Sequence, residues 1–372
     1  MCERGQPRSP HGVLVLGADE NGLLRLTTGK MHGVLDGTRF AVYPPDANLA
    51  NPGEQLSEVE VVQHGGTESL AEVRGVPPPH DILLPGSLAV LLDPGPNYCG
   101  TAVSLAYRIS QFEEELENEV LEAVAKFLAG TSYLRLAEEG TQSDFQVAVN
   151  ELHEIEIQDS LGAPVPHLGT PVLARAPGAA ANVVARLVHL VKFQAVWQLA
   201  NKKTPLGSIV VELLGVQDVY DRTGRPDPLP GTRGASVEMQ VGQWTFLRIS
   251  NRSTVVLNIS VLDLQPDWEI TQILPEDGGA NLFPLDARRS FDLPFQAQLP
   301  DGIAEGTHLL KVFAVFGPAD FRWLELPPLA PPRTRGGVQR NLTAQMPSEW
   351  SGVPSEEWVT AQVEVKIKRR QN

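Results

Sequence analysis

The residues whose chemistry must be weighed first are two cysteines and eight histidines, because a cysteine nucleophile needs a thiolate, an imidazole base and backbone donors for the oxyanion. Cys99 lies in Asn97-Tyr98-Cys99-Gly100, between a Pro/Gly turn and an apolar run, and Cys2 lies in the polar opening. No catalytic signature flanks either, and free cysteines are most often inert packing residues, so no catalytic residue is assigned. His153 and Glu151 fall at period two on one face of a strand-like run, with Glu154 and Glu156 on the other. A metal site wants three or four convergent ligands with a supporting second layer, and nothing fixes the remainder, so a solvated strand face is expected there. The segments Asp19-Glu20-Asn21-Gly22 and Glu276-Asp277-Gly278-Gly279 lack the ligand spacing of a calcium loop and read as hairpin turns. No phosphate-cradling GxxxxGK[ST], no GxGxxG after a strand and no GxSxG elbow occurs, so neither cofactor nor metal is expected. Trp268 and Trp323 sit in strand-rich stretches, where a core or inter-sheet role is expected. The basic end Lys366, Lys368, Arg369 and Arg370 reads as a solvated face with some capacity to steer an acidic partner.

Composition narrows the partners. A chain of 372 residues suggests two or three domains at ~100 to 200 residues each. With 42% hydrophobic and 20% charged residues it should fold as a globular protein. Its net charge of −15 repels phosphate backbones and anionic lipid, so no nucleic acid and no membrane is expected as partner. No stretch approaches the ~18 consecutive apolar residues of a membrane span. So few cysteines build no disulfide framework, which favours a reducing, cytoplasmic setting. Sequons at Asn251, Asn258 and Asn341 are discounted as chance matches.

The elements that would position such residues fall into three regions, and the fold class expected is mainly β with an α+β middle module. Residues 1–12 show no helix start, no alternation and no targeting logic, and read as a linker or the remnant of a preceding domain. In residues 13–96, short runs at 13–16, 23–27, 39–43, 57–63, 69–74 and 87–92 alternate apolar with polar and are separated by glycines. Closing five or six such strands into a small β-barrel removes sheet edges too short to be covered otherwise. In residues 101–204 the period changes. Ser110 with Glu113 reads as a capping box, and Phe112, Leu116, Val120, Val124 and Phe127 form one stripe, with Gly130 as the stop. Strands are expected at 103–109, 133–136, 145–149 and 153–157, with a second helix over 179–199 burying Ala180, Val183, Val184, Leu187, Val188, Val191 and Ala195, and Asn201 as its C-terminal cap. Both helices should cover one face of the sheet. In residues 207–368, strands at 209–214, 236–241, 245–251, 255–263, 268–273, 290–295, 308–316, 322–326 and 358–367 read as an antiparallel β-sandwich, interrupted by a Pro-rich loop at 327–354.

Three stretches carry a resemblance. LTTGKMHGVLDGTRFAVYPP (26–45) with LSEVEVVQHGGTESLAEV (56–73) resembles the small β-domain that follows the protease domain in caspase-like, metacaspase-type cysteine peptidases of fungi and bacteria. ARLVHLVKFQAVWQLAN (185–201) is similar to a helix of the same C-terminal region, and residues 246–275 with 305–327 resemble its final β-domain. The family's catalytic residues do not carry over. His32-Gly33 and His64-Gly65-Gly66 belong to the β-domain pattern, Cys99 follows Asn-Tyr rather than acidic residues, and no alternating βαβ pattern builds a protease sheet. The resemblance implies a non-catalytic accessory region, not itself an enzyme, that acts in protein–protein recognition or in regulating a protease domain absent from this chain. The alternative is a free-standing, all-β-type binding module for protein or glycan. Oligomeric state is unknown from the sequence.

Overall fold

A computed structural model describes residues 13–45, 47, 54–75, 85–95, 101–106, 114–138, 141–201, 209–221, 223–229, 236–275, 282–317, 319–329 and 358–370. Both cysteines, the helix-start signal at Ser110 and Glu113, Phe112, the turn at 276–279, Asn341 and all but 327–329 of the Pro-rich stretch lie outside the described residues.

The first region closes as expected. β1 (Val13–Ala18), β2 (Leu24–Leu26), β3 (Arg39–Tyr43), β4 (Ser57–His64), β5 (Ser69–Arg74) and β6 (Leu88–Asp93) form a six-stranded barrel in the order β1-β2-β5-β4-β3-β6. Alternation puts Val15, Leu26, Phe40, Val42 and Val59 inside it, all fully buried. Between β1 and β2, Asp19 Oδ1 accepts from the amides of Asn21 and Leu23, which fixes the turn read from the sequence.

The middle region comprises β7 (Thr101–Ala106), α1 (Glu114–Leu128), β8 (Leu134–Leu136), β9 (Phe145–Val149), β10 (Glu154–Asp159), β11 (Val172–Leu173) and α2 (Ala179–Gln198). The sheet order is β11-β10-β9-β7-β8, and both helices share one core with it. β7 runs parallel to β8 and to β9, so β7–α1–β8 is one βαβ crossover, a unit the sequence pattern did not announce because β8 has only three residues. On α1, Leu121, Val124 and Leu128 are buried, whereas Phe127, expected on the stripe, is half exposed. α2 buries the expected Val183, Val184, Leu187 and Val191, and also Phe193 and Val196 toward a different core. Burial on two sides explains why α2 is long and apolar enough, by length and composition alone, to cross a membrane.

The third region is a sandwich. β12 (Ile209–Leu213), β14 (Trp244–Asn251) and β18 (Ser290–Gln296) form a three-stranded sheet. The facing sheet runs β13 (Val237–Gln240), β20 (Trp358–Lys368), β19 (Glu305–Val315), β15 (Leu257–Leu264), β16 (Ile270–Leu274), with β17 (Phe283–Leu285) also on β15. One pair departs from the antiparallel expectation: β13 lies parallel to β20. Residues 322–324 form a 3-10 turn instead of a strand, and Trp268 precedes β16 rather than opening it.

The six-stranded sheet is buried on both faces, and alternation along β19 shows it. Leu310, Val312 and Ala314 face the sandwich core, while Leu309, Phe313 and Val315 face a second core on the other side. That second core collects Phe193 and Val196 from α2, Met31 from the barrel, and Phe321 and Leu324 from the 3-10 turn. At about 25 cal/mol per Å2 of buried apolar area, such a layer binds all three regions together.

Candidate functional site

Ionisable and aromatic side chains converge where the three regions meet. The barrel reaches this place through a 3-10 turn at Lys30–His32. Gly29 precedes it because a Cβ there would lie 2.5 Å from the Gly65 carbonyl oxygen, and the Lys30 and Met31 amides donate to the carbonyls of Gly65 and Gly66. The turn therefore belongs to no hairpin strand, and its side chains point out of the barrel. Met31 is fully buried, and the His32 ring packs 5.3 Å from both Phe321 and Trp323. His32 Nδ1 accepts from the Gly29 amide at 3.1 Å. Its other nitrogen closes no hydrogen bond of good geometry, although the Asp320 backbone lies on that side. Burial pushes this imidazole down to about 3, so it is neutral at physiological pH. His64, the other described histidine of the barrel region, ends β4 and bonds Asp36 at 2.7 Å, near the surface.

α2 meets the sheet through directional bonds. Lys311, on the face of β19 turned toward α2, has no exposed surface and donates to the Trp197 carbonyl at 2.7 Å and to Gln362 Oε1 at 3.3 Å. Trp197 is in the last turn of α2, where carbonyls lack helical partners and the helix dipole favours a cation. Burial nevertheless lowers this amine to about 8. Asn201 does not cap the helix as expected; Leu199 does, and Asn201 Nδ2 donates to the Trp358 carbonyl on β20. Trp268 holds the left-handed φ of 69°, unfavourable for so bulky a residue. It is fixed from both ends: its carbonyl accepts from His189 Nε2 on α2 at 2.9 Å, and its indole donates to the Pro166 carbonyl at 2.9 Å. Burial lowers His189, partly opposed by the bond to Trp268.

Beside Trp268, the end of the sandwich holds a buried carboxylate–imidazole pair. His308 Nδ1 donates to Asp263 Oδ1 at 2.9 Å, and both residues are less than a tenth exposed. Burial works against the charged ring, yet Asp263, the Gln298 backbone and Asp267 raise its pKa above the ordinary histidine value. Asp267 itself is raised, chiefly by burial. His308 Nε2 is buried with no well-formed bond, and Phe295 packs edge-on 5.9 Å from the ring. An orienting carboxylate with an imidazole is two-thirds of a nucleophile-activating triad, but no serine, threonine or cysteine of the described residues bonds this ring.

An open cleft of about 320 Å3 lies over the junction, lined by Phe193, Gln194, Trp197, Gln198 and Trp268, none of them charged. Phe193 packs 6.1 Å from Trp197 and 5.1 Å, edge to face, from Trp268.

Other sequence candidates lie apart. Glu151 and His153 are in the turn before β10, not on its face; Asn150 Oδ1 accepts from Leu152 and Glu154, and His153 takes φ 59°. Among the described residues no group of three His, Cys, Asp or Glu is placed to hold a metal. At the basic end Lys366, Lys368, Arg369 and Arg370 are all exposed, as a solvated face requires, while Arg369 also donates to the carbonyls of Ile303, Leu299 and Pro300 and Arg370 bonds Gln240. Of the sequons, Asn251 is buried and Asn258 donates to the Gly317 carbonyl. Sequence reasoning did not single out Lys311, Asp263 or His308; the signal was a lone lysine and histidine inside the near-continuous apolar run 308–316.

No protein-family model matches this chain, and no curated protein matches it. Among solved structures, the Salmonella enterica SafA pilin in complex with the SafB chaperone matches 45% of this chain and 57% of that chain, at 13% identity and a TM-score of 0.21. A likeness at that score carries no argument.

Proposed function

We propose that this chain is a non-catalytic recognition scaffold whose three modules present fixed surfaces to a protein partner. In the setting the sequence resemblance implies, that partner is a caspase-like protease domain carried outside the residues given, in a reducing, cytoplasmic environment. The observation that supports this reading best is the shared core under the six-stranded sheet, built from barrel, α2 and 3-10 turn together. Around it the buried ionisable groups are engaged in holding structure: Lys311 on a helix end, His189 on Trp268, His308 on Asp263. The test is biolayer interferometry of the full chain against a purified protease domain from a metacaspase-type relative in which such a domain precedes this region. Saturable binding is expected, and no binding up to about 100 μM, a ΔG° of about −5.5 kcal/mol, overturns the reading.

A second reading, a glycan-binding module, is favoured by the uncharged aromatic cleft at Trp197 and Trp268. Aromatic rings stack on the apolar faces of neutral sugars, and the amides of Gln194 and Gln198 can bond hydroxyls. Titrating neutral oligosaccharides while following tryptophan fluorescence separates the two: quenching lost in Trp197→Ala favours the glycan.

A further inference from the structure

We propose that Arg252, Arg288 and Arg289 form a docking surface for an acidic protein segment; this rests on the recognition reading and names its partner-facing site. β14 and β18 pair with Ser250 opposite Ser290, so the turn carrying Arg252 and the turn carrying Arg288 and Arg289 leave the three-stranded sheet at the same end. Asn251 stitches the two turns. Its amide donates to the Arg289 carbonyl at 2.9 Å, and its side-chain nitrogen donates to the carbonyls of Val255, Leu285 and Asp286. Asn251 is only 1% exposed, so the backbone that carries the three arginines is held in place, and no loop has to be ordered on binding. Arg288 moreover holds φ 60°, a left-handed conformation that costs energy unless its surroundings fix it.

All three guanidiniums are exposed, and none has a hydrogen-bond or ion-pair partner among the described residues. That sets them apart from Arg25, Arg39, Arg74, Arg248 and Arg322, each paired with a carboxylate. In a chain of net charge −15, three arginines with no partner among the described residues share one frame and form a local positive site in a negative field. Beside them an open cleft of about 470 Å3 runs over Phe283, Pro284 and Phe291, whose two aromatic rings stack 4.4 Å apart, with Asp286 as the one carboxylate of its lining. Val255 and Val256 add exposed apolar surface in the turn after Arg252.

Planar guanidiniums bind carboxylates in bidentate fashion, and an aromatic cleft seats an apolar side chain. The complementary partner is therefore a short acidic segment with an apolar anchor. A long polyanion suits the site less, because the surrounding negative field opposes its extension along the surface.

The probe is a fluorescein-labelled octapeptide of six glutamates around a central Leu-Phe pair, titrated with the full chain by anisotropy. Saturable binding is expected, weakening as salt rises from about 50 to about 200 mM. The triple variant R252E/R288E/R289E, whose changes are all exposed and whose fold is checked by circular dichroism, should bind at least about tenfold more weakly. The triple lysine variant, which keeps charge but loses the fork, should bind about threefold more weakly. Unchanged affinity in the glutamate variant overturns the proposal, as does a heparin octasaccharide binding the same site more tightly than the peptide. A glutamate variant that still binds the protease domain at full strength also overturns this surface while leaving the scaffold reading standing. Peptide binding by a chain that does not bind the domain supports the surface and removes the scaffold reading's chosen partner.

Discussion

The barrel and the α+β module lie against the same face of the six-stranded sheet and share its apolar core, but only the second adds a set of directional polar bonds. The barrel attaches through Met31 and His32, seated among Phe321, Trp323 and Phe313, where the imidazole is forced neutral. The α+β module attaches through Phe193 and Val196 in that core and also through directional bonds: Lys311 to Trp197, Asn201 to Trp358, His189 to Trp268, and Trp268 to Pro166. The first joint draws its strength from apolar area and excludes charge. The second tolerates a buried cation because a helix C-terminus receives it. The difference teaches that acid should loosen the first joint, whereas base should tighten the second.

Removing area should have the largest effect. Phe321 is fully buried and stacks 4.4 Å from Phe313 as well as on His32. Phe321→Ala should cost about 3 to 5 kcal/mol in urea unfolding, with the barrel joint lost first. A cost under about 1 kcal/mol breaks the comparison, because an area-held joint cannot spare this ring.

The next largest effect is alkaline and belongs to the second joint. Because burial lowers Lys311 to about 8, the unfolded chain holds this proton more firmly above that pH, and stability should rise as pH rises. Between about pH 8 and about pH 10 the gain is about 2 kcal/mol, and Lys311→Met should flatten that slope in denaturation curves collected across the range. An equal slope in the variant removes Lys311 from the account.

The acid arm is comparable but slightly smaller. A histidine lowered to about 3 is neutral when folded and takes up a proton when unfolded, so stability is lost as pH falls below about 6.5. At about pH 5.3 the loss is about 1.5 kcal/mol. His32→Asn, which keeps an acceptor for the Gly29 amide, should remove that acid slope while lowering stability at neutral pH. His308 carries the opposite sign, since its raised pKa adds stability below about 6.5 that disappears as pH climbs through the folded value. Asp263→Asn should therefore cost more at about pH 6 than at about pH 9.

Much of this architecture was legible in the sequence, for identifiable reasons. Barrel strands such as β4 alternate at period two because one face is solvated, and α2 shows its sheet-facing stripe at helical spacing. What stayed hidden depends on distant partners. The parallel pairing of β13 with β20 joins four residues to a strand more than a hundred positions away, and no local pattern encodes that direction. β11 and β17 have only two and three residues, the latter containing Pro284, so neither builds a periodic signal. The junction was the least visible part. His32 reads as a turn residue until Phe321 and Trp323, from the far end of the chain, close over it. Its one advance sign was excess: Phe193 and Val196 are apolar on a side of α2 that a singly buried helix would leave polar.

The most direct test of a scaffold welded at two joints is native-state hydrogen exchange across the full chain at neutral pH. Amides of β3 in the barrel, the C-terminal half of α2 and the paired strands β15 and β19 should open with one shared free energy, and Phe321→Ala should lower it in all of them. Barrel amides that open well below the sandwich, and a variant that weakens the barrel alone, would contradict it.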